Sequence, residues 1–116
     1  MGMFDFINDM GNYDQRAVDR FEEGQIIVDT CEVSDGEKPF ETAVMHPEYN
    51  NGKWIAVQAY DTVEEAQRGH NNWVRTMTNK VLPKSLKECG NCGVAALLEA
   101  VGGKIEFNRG EKVDEP

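Results

Sequence analysis

Cys89, Gly90, Asn91 and Cys92 form a Cys-x-x-Cys unit, the densest group of chemically active side chains in the 116 residues. Such a turn brings two thiolates to one metal, and glycine permits its tight backbone. A tetrahedral zinc site needs two further ligands. Cys31, His46 and His70 are the remaining sulfur or nitrogen donors, and none stands at the spacing of a second knuckle. The plainer expectation is thiols that pack as small hydrophobes, with no cofactor and with zinc as the alternative. A thioredoxin-like redox role would require the motif to follow a strand and open a helix in a βαβ unit, a context the flanking residues do not offer.

The two histidines fall on apolar faces of the elements expected around them, so they could meet beneath a hairpin. There Cys31 or Asp29 would activate or orient an imidazole. Against this stands an ordinary core histidine donating one hydrogen bond. Trp54, Tyr60, His70 and Trp73 form the candidate set for contact with a ligand or partner, because aromatic rings supply rigid contact area. Their plainer role is in the core. The glycines at 90, 93, 102 and 103 lack the strand-turn-helix context and the lysine of a phosphate loop. No nucleophile-base pair or carboxylate pair has a recognisable spacing. No catalytic residue is assigned, and a non-enzymatic protein is expected.

These side chains must be positioned by the run over residues 40–81. Asn51-Gly52 signals a two-residue hairpin, since a type I′ turn needs positive φ at both central positions. Counting outward pairs Tyr49 with Trp54, His46 with Val57 and Val44 with Ala59. Thr42, Val44, His46, Ile55, Val57 and Ala59 then share one face, and Ala43, Met45, Trp54, Gln58 and Tyr60 the other. Pro47 cannot donate to a ladder, so its strand should be an edge, bulged, or interrupted by a longer loop. Asp61 or Thr62 can cap a following helix, with Glu64 or Glu65 completing a capping box. Val63, Ala66, His70, Trp73, Val74, Met77 and Val81 recur at spacings close to helical and predict an amphipathic helix packed on one sheet face. Gly69 inside it points to a close approach of another backbone, and Leu82-Pro83 ends it.

Upstream, residues 17–21 and 25–33 read as two strands joined around Glu23-Gly24. Downstream, residues 84–88 suggest a turn, 93–101 a short apolar helix and 104–107 a last strand. The expected fold class is α+β: a four-stranded, mainly antiparallel meander packed by one long helix, with a small C-terminal helical unit. The length suits one domain over residues 1–116, with an N-terminal arm at 1–13 and a flexible acidic tail at 111–116. No stretch has the eighteen or more apolar residues of a membrane span, and no basic-then-apolar leader opens the chain. Three cysteines, an odd number, argue against a complete disulfide framework and fit a reducing compartment.

The chain carries 12 basic and 21 acidic side chains for a net charge of −9. Residues 1–50 hold 12 acidic and 3 basic groups, so all of the excess lies in that half. An acidic surface there would repel nucleic acid and anionic membranes and attract a basic partner, although scattered carboxylates also serve solubility. Direct nucleic-acid binding is disfavoured for want of clustered Lys and Arg.

The segment Glu41-Thr-Ala-Val-Met-His-Pro-Glu-Tyr-Asn-Asn-Gly-Lys-Trp54, continued by Tyr60-Asp-Thr-Val-Glu-Glu-Ala-Gln-Arg-Gly-His70-Asn-Asn-Trp-Val74, resembles small uncharacterised proteins of bacteriophages and prophages. The resemblance spans residues 20–85 or so and transfers no catalytic residue. It implies a host-cytoplasmic or virion setting and an accessory interaction protein, a virion component or an inhibitor of a host system. The expected function is thus a non-enzymatic accessory protein that binds a protein partner through an acidic surface, with self-association also open. The alternatives are a small-ligand, nucleotide-type binding or sequestering protein, a Cys/His metal protein, and a nucleic-acid mimic that inhibits a host protein.

Overall fold

The computed structural model describes residues 17–34, 37–89 and 105–110. Strand β1 (Ala17–Glu23) turns into β2 (Ile26–Glu32), which is followed by β3 (Phe40–Met45) and β4 (Ile55–Tyr60). The four form one antiparallel sheet in sequence order. Helix α1 (Val63–Thr78) packs on it, and β5 (Ser85–Lys87) pairs with β6 (Glu106–Asn108) in a separate two-stranded sheet. The expected α+β meander with one packing helix is present. The expected helix at 93–101, the arm at 1–13 and the tail at 111–116 lie outside the described residues. Residues 84–88 contain a strand rather than a turn, because β6 supplies a partner from residues 106–108.

Gly24 opens the β1–β2 turn at φ 62°, a value that glycine adopts without steric cost, and Glu23 pairs directly with Ile26. The β3–β4 connection corrects the two-residue hairpin. The β2–β3 and β3–β4 ladders both stop at Met45 and Val44, before Pro47, and residues 46–54 form a longer loop. Inside it Asn50, Asn51 and Gly52 are all left-handed, at φ 50°, 55° and 78°. Asn and Gly tolerate that region best, so the local signal is spent on a tight turn within the loop rather than on the hairpin itself.

The register is corrected with it. Val44 lies opposite Ile55 rather than Ala59, and Ala43 lies opposite Ala56, yet Thr42 lies opposite Gln58. Val57 is therefore the extra residue of a β-bulge, which reverses the alternation of the strand beyond it. Gln58 and Tyr60 share the helix-facing side with Val44, contrary to the side expected for them.

Three rows consequently cross the helix-facing side. Phe21, Val28, Val44 and Ile55 form one row, and Asp19, Thr30, Thr42 and Gln58 form the next. Phe40 and Tyr60 close the sheet beyond them. The apolar row joins Tyr49, Met77 and Leu86 in the hydrophobic core, with Trp73 and Val74 packed against it. At the start of α1, Thr62 Oγ1 accepts from the Glu65 amide at 3.1 Å while Glu65 Oε1 accepts from the Asp61 amide at 3.2 Å. This is the reciprocal capping the sequence announces: it satisfies the Glu65 amide left open in the first helical turn and the Asp61 amide just before the cap.

Gly69 answers to Tyr60. A Cβ built on Gly69 would overlap the ring and hydroxyl of Tyr60, a side chain only 4% exposed. The helix can rest on the tyrosine only where it lacks a side chain. On an unencumbered helix, Gly→Ala adds roughly 1 kcal/mol of stability. Gly69→Ala is expected to do the reverse, costing about 1 to 3 kcal/mol by overpacking. Urea unfolding of the variant beside wild type measures the sign.

Candidate functional site

Beneath α1, the polar row of the sheet meets His70. One row on the helix-facing side carries Asp19, Thr30, Thr42 and Gln58; the two threonines at its centre are fully buried and require partners, whereas Asp19 is half-buried and Gln58 exposed at its ends. His70 Nδ1 lies 2.8 Å from Thr30 Oγ1, which lies 2.6 Å from Thr42 Oγ1. Thr42 Oγ1 is 3.0 Å from the Tyr60 hydroxyl, and that hydroxyl donates to Gln58 Oε1 at 3.3 Å. Trp73 Nε1 donates to the same oxygen at 2.8 Å. At the other end Gln67 Nε2 donates to Asp19 Oδ2 at 2.9 Å, and His70 Nε2 stands 3.8 Å from that carboxylate oxygen.

His70 is 2% exposed. Burial holds its pKa below the ordinary 6.5, opposed by the negative charges of Asp19 and Asp29. Asp19 lies below the usual carboxylate range, chiefly through the hydrogen bond from Gln67, with the Arg20 amide and His70 acting the same way against burial. Burial also raises the Tyr60 phenol, against the hydrogen bond from Thr42.

Of the residues singled out by type and spacing, the structure joins Tyr60, His70 and Trp73 in this chain. Trp54 precedes β4, at the end opposite Tyr60, about 20 Å away by strand rise. It is half-buried, and its carbonyl accepts from Asn50 Nδ2 at 3.4 Å. His46 does not meet His70. It sits just past β3, buried, with Nδ1 accepting from the Glu48 amide at 3.1 Å and its ring edge-on to Tyr49 at 5.5 Å. Its other bond is to the Met77 backbone, two helical turns beyond His70 or about 10 Å along the axis. His46 thus serves an otherwise open carbonyl end of α1. Burial lowers its pKa too, opposed by Glu48 and by the Met77 bond.

Cys31 is half-buried on β2, opposite Ala17 and Glu41. Cys89 is half-buried beside β4, where its amide donates to the Ala56 carbonyl at 2.8 Å. Cys92 lies outside the described residues. Among the described residues, no three His, Cys, Asp or Glu side chains converge as metal ligands. Asp29 faces away from the helix, 5% exposed, and accepts from Arg20 Nη1 at 3.3 Å. It reaches His70 only through its field.

Over Tyr60 and Gly69, the side chains of Lys38, Gln58, Asp61, Glu65 and Arg68 border an open depression of about 380 Å³. Lys38 pairs with Asp61 at 3.7 Å and Glu65 stands beside Arg68 on the same rim, so the charges balance and favour no ligand sign. Among the described residues, no helix is long and apolar enough to cross a membrane. No family model, curated protein or solved structure matches the chain.

Thr30, Thr42, Gln58 and Asp19 are the members of the chain that sequence reasoning missed. Threonine is an ordinary strand former, and only the observed register shows that four polar residues line up in one row. Thr30→Val keeps the shape of the side chain but removes the central hydroxyl, leaving His70 and Thr42 short of a partner. A loss of about 1 to 3 kcal/mol in unfolding free energy is expected.

The depressed histidine pKa values also set a pH dependence. An unfolded histidine takes up its proton near 6.5, before the buried one does. Stability from both rings is therefore complete above pH 6.5 and declines as pH falls through 6.5 towards their folded midpoints. Denaturant midpoints followed from about pH 7.5 to 5.5 should fall, and a flat profile would contradict the burial of both rings.

Proposed function

We propose that this chain is a non-enzymatic accessory protein, of the phage or prophage kind its sequence resembles, whose first hairpin binds a basic protein partner. The supporting observation is the acidic edge of the sheet. β1 is the outermost strand, and among the described residues it pairs only with β2. Glu22, Glu23 and Glu32 are exposed on this hairpin. Its one cation, Arg20, is engaged by Glu22 at 3.5 Å and Asp29 at 3.3 Å, so the field that reaches solvent is negative. An edge strand also presents main-chain donors and acceptors to an extended segment of another protein, with flanking charge selecting its sign.

The histidines support the same reading. Both are buried against the hydroxyl, backbone and aromatic groups that hold the sheet to the helix, which leaves the exposed carboxylates as the chemistry offered outward. Contacts of this kind speed encounter and weaken with salt.

Capture experiments from extract of the producing cells would use wild type and a Glu22→Gln/Glu23→Gln/Glu32→Gln variant. A stoichiometric basic protein should be retained by wild type at low salt, and its recovery should fall at least tenfold with the variant, equivalent to about 1.4 kcal/mol. Equal recovery by both proteins, or no stoichiometric protein with either, would defeat the proposal.

A further inference from the structure

The hydrogen-bond chain beneath α1 has a direction. Indole Nε1 donates and cannot accept, so the Gln58 atom 2.8 Å from Trp73 is the amide oxygen. That oxygen only accepts, and the Tyr60 hydroxyl 3.3 Å away points its single proton there. Tyr60 must then accept from Thr42, Thr42 from Thr30, and Thr30 from His70. Each hydroxyl has one proton, so fixing the last acceptor fixes the whole sequence. The reverse order would set the Tyr60 and Gln58 oxygens face to face with no proton between them.

His70 Nδ1 therefore carries the proton of the neutral ring. Nε2 is left as its basic atom, 3.8 Å from Asp19 Oδ2. We infer that His70 Nε2 and Asp19 form a proton-operated latch between α1 and the edge strand β1. In the neutral state a lone pair faces a carboxylate. Proton uptake at Nε2 replaces that opposition with a charge-assisted pair across the contact of α1 with the bulged start of β1, which offsets part of the cost of charging the buried ring.

Every packed element contributes to the balance. β1 presents Asp19, β2 presents Thr30 and the field of Asp29 with its Arg20 partner, β3 presents uncharged Thr42, and β4 presents the neutral Tyr60 phenol. On α1 itself, Gln67 holds the Asp19 carboxylate in place. The two carboxylates favour protonation, burial opposes it, and burial is the larger influence. The latch accordingly closes on the acid side of the ordinary histidine range. It is independent of what the first hairpin binds.

Long-range ¹H–¹⁵N NMR of the imidazole rings in the full chain tests this directly. Neutral His70 should carry its proton on Nδ1, and falling pH should add the second proton at Nε2. The Asp19 carboxyl resonance should move with the same midpoint. Asp19 is partly exposed, so Asp19→Asn is expected to fold and should lower the His70 midpoint by about one pH unit. Gln58→Met removes the terminal acceptor and should populate the Nε2–H tautomer. A neutral wild-type ring protonated on Nε2, or an unchanged tautomer in Gln58→Met, would overturn the directed chain. An unchanged midpoint in Asp19→Asn would overturn the latch.

Discussion

The approach of α1 to the sheet is limited by the tyrosine that lies between them. Gly69 gives the helix a side-chain-free patch at the one point where the Tyr60 ring must fit, and the ring is there because the Val57 bulge turns the end of β4 inward. Remove the bulge and Tyr60 faces the other side. The helix would lose both the ring it rests on and the hydroxyl that links Thr42 to Gln58. A glycine unfavourable to an isolated helix and an irregularity unfavourable to a ladder are thus two halves of one contact.

That contact divides the interior along the helix. One row of the sheet is apolar and receives Met77, while the adjacent row is polar and receives His70. Apolar packing tolerates small rotations of a helix, because dispersion and burial are not directional. Hydrogen bonds to a ring nitrogen are directional. The polar row therefore fixes which face of α1 points down, and the apolar row supplies most of the driving force. His46 acts at the far end of the helix, where its bond to the Met77 backbone and its contact with Tyr49 tie the β3–β4 loop to the last turn.

The helix was legible because its signals are local: the cap at Thr62, the reciprocal Glu65, and an apolar stripe whose one glycine marks a close approach, although of the Tyr60 side chain rather than of the backbone expected there. The strands were legible as segments and misread in register. Asn51-Gly52 resembles a hairpin turn whether it closes two strands directly or bends a longer loop, and Pro47 only told where a ladder must stop. A bulge leaves no composition mark, so the inward turn of Gln58 and Tyr60 could not be counted out from the turn. The site inherited that error. His70, Tyr60 and Trp73 were visible by type, while the threonines and Gln58 that connect them become a group only through cross-strand register.

The order of the sheet has a kinetic side. Each strand pairs with its neighbour in sequence, and α1 follows β4 after two intervening residues and folds back over the strands that precede it. Contacts of short sequence separation need little loop closure, so topologies of this kind reach their native pairing quickly for a β-containing chain. β1 stands furthest in sequence from the helix it touches. The Asp19–Gln67 bond spans 48 residues, so its loop closes at a larger entropic cost than the turns between neighbouring strands.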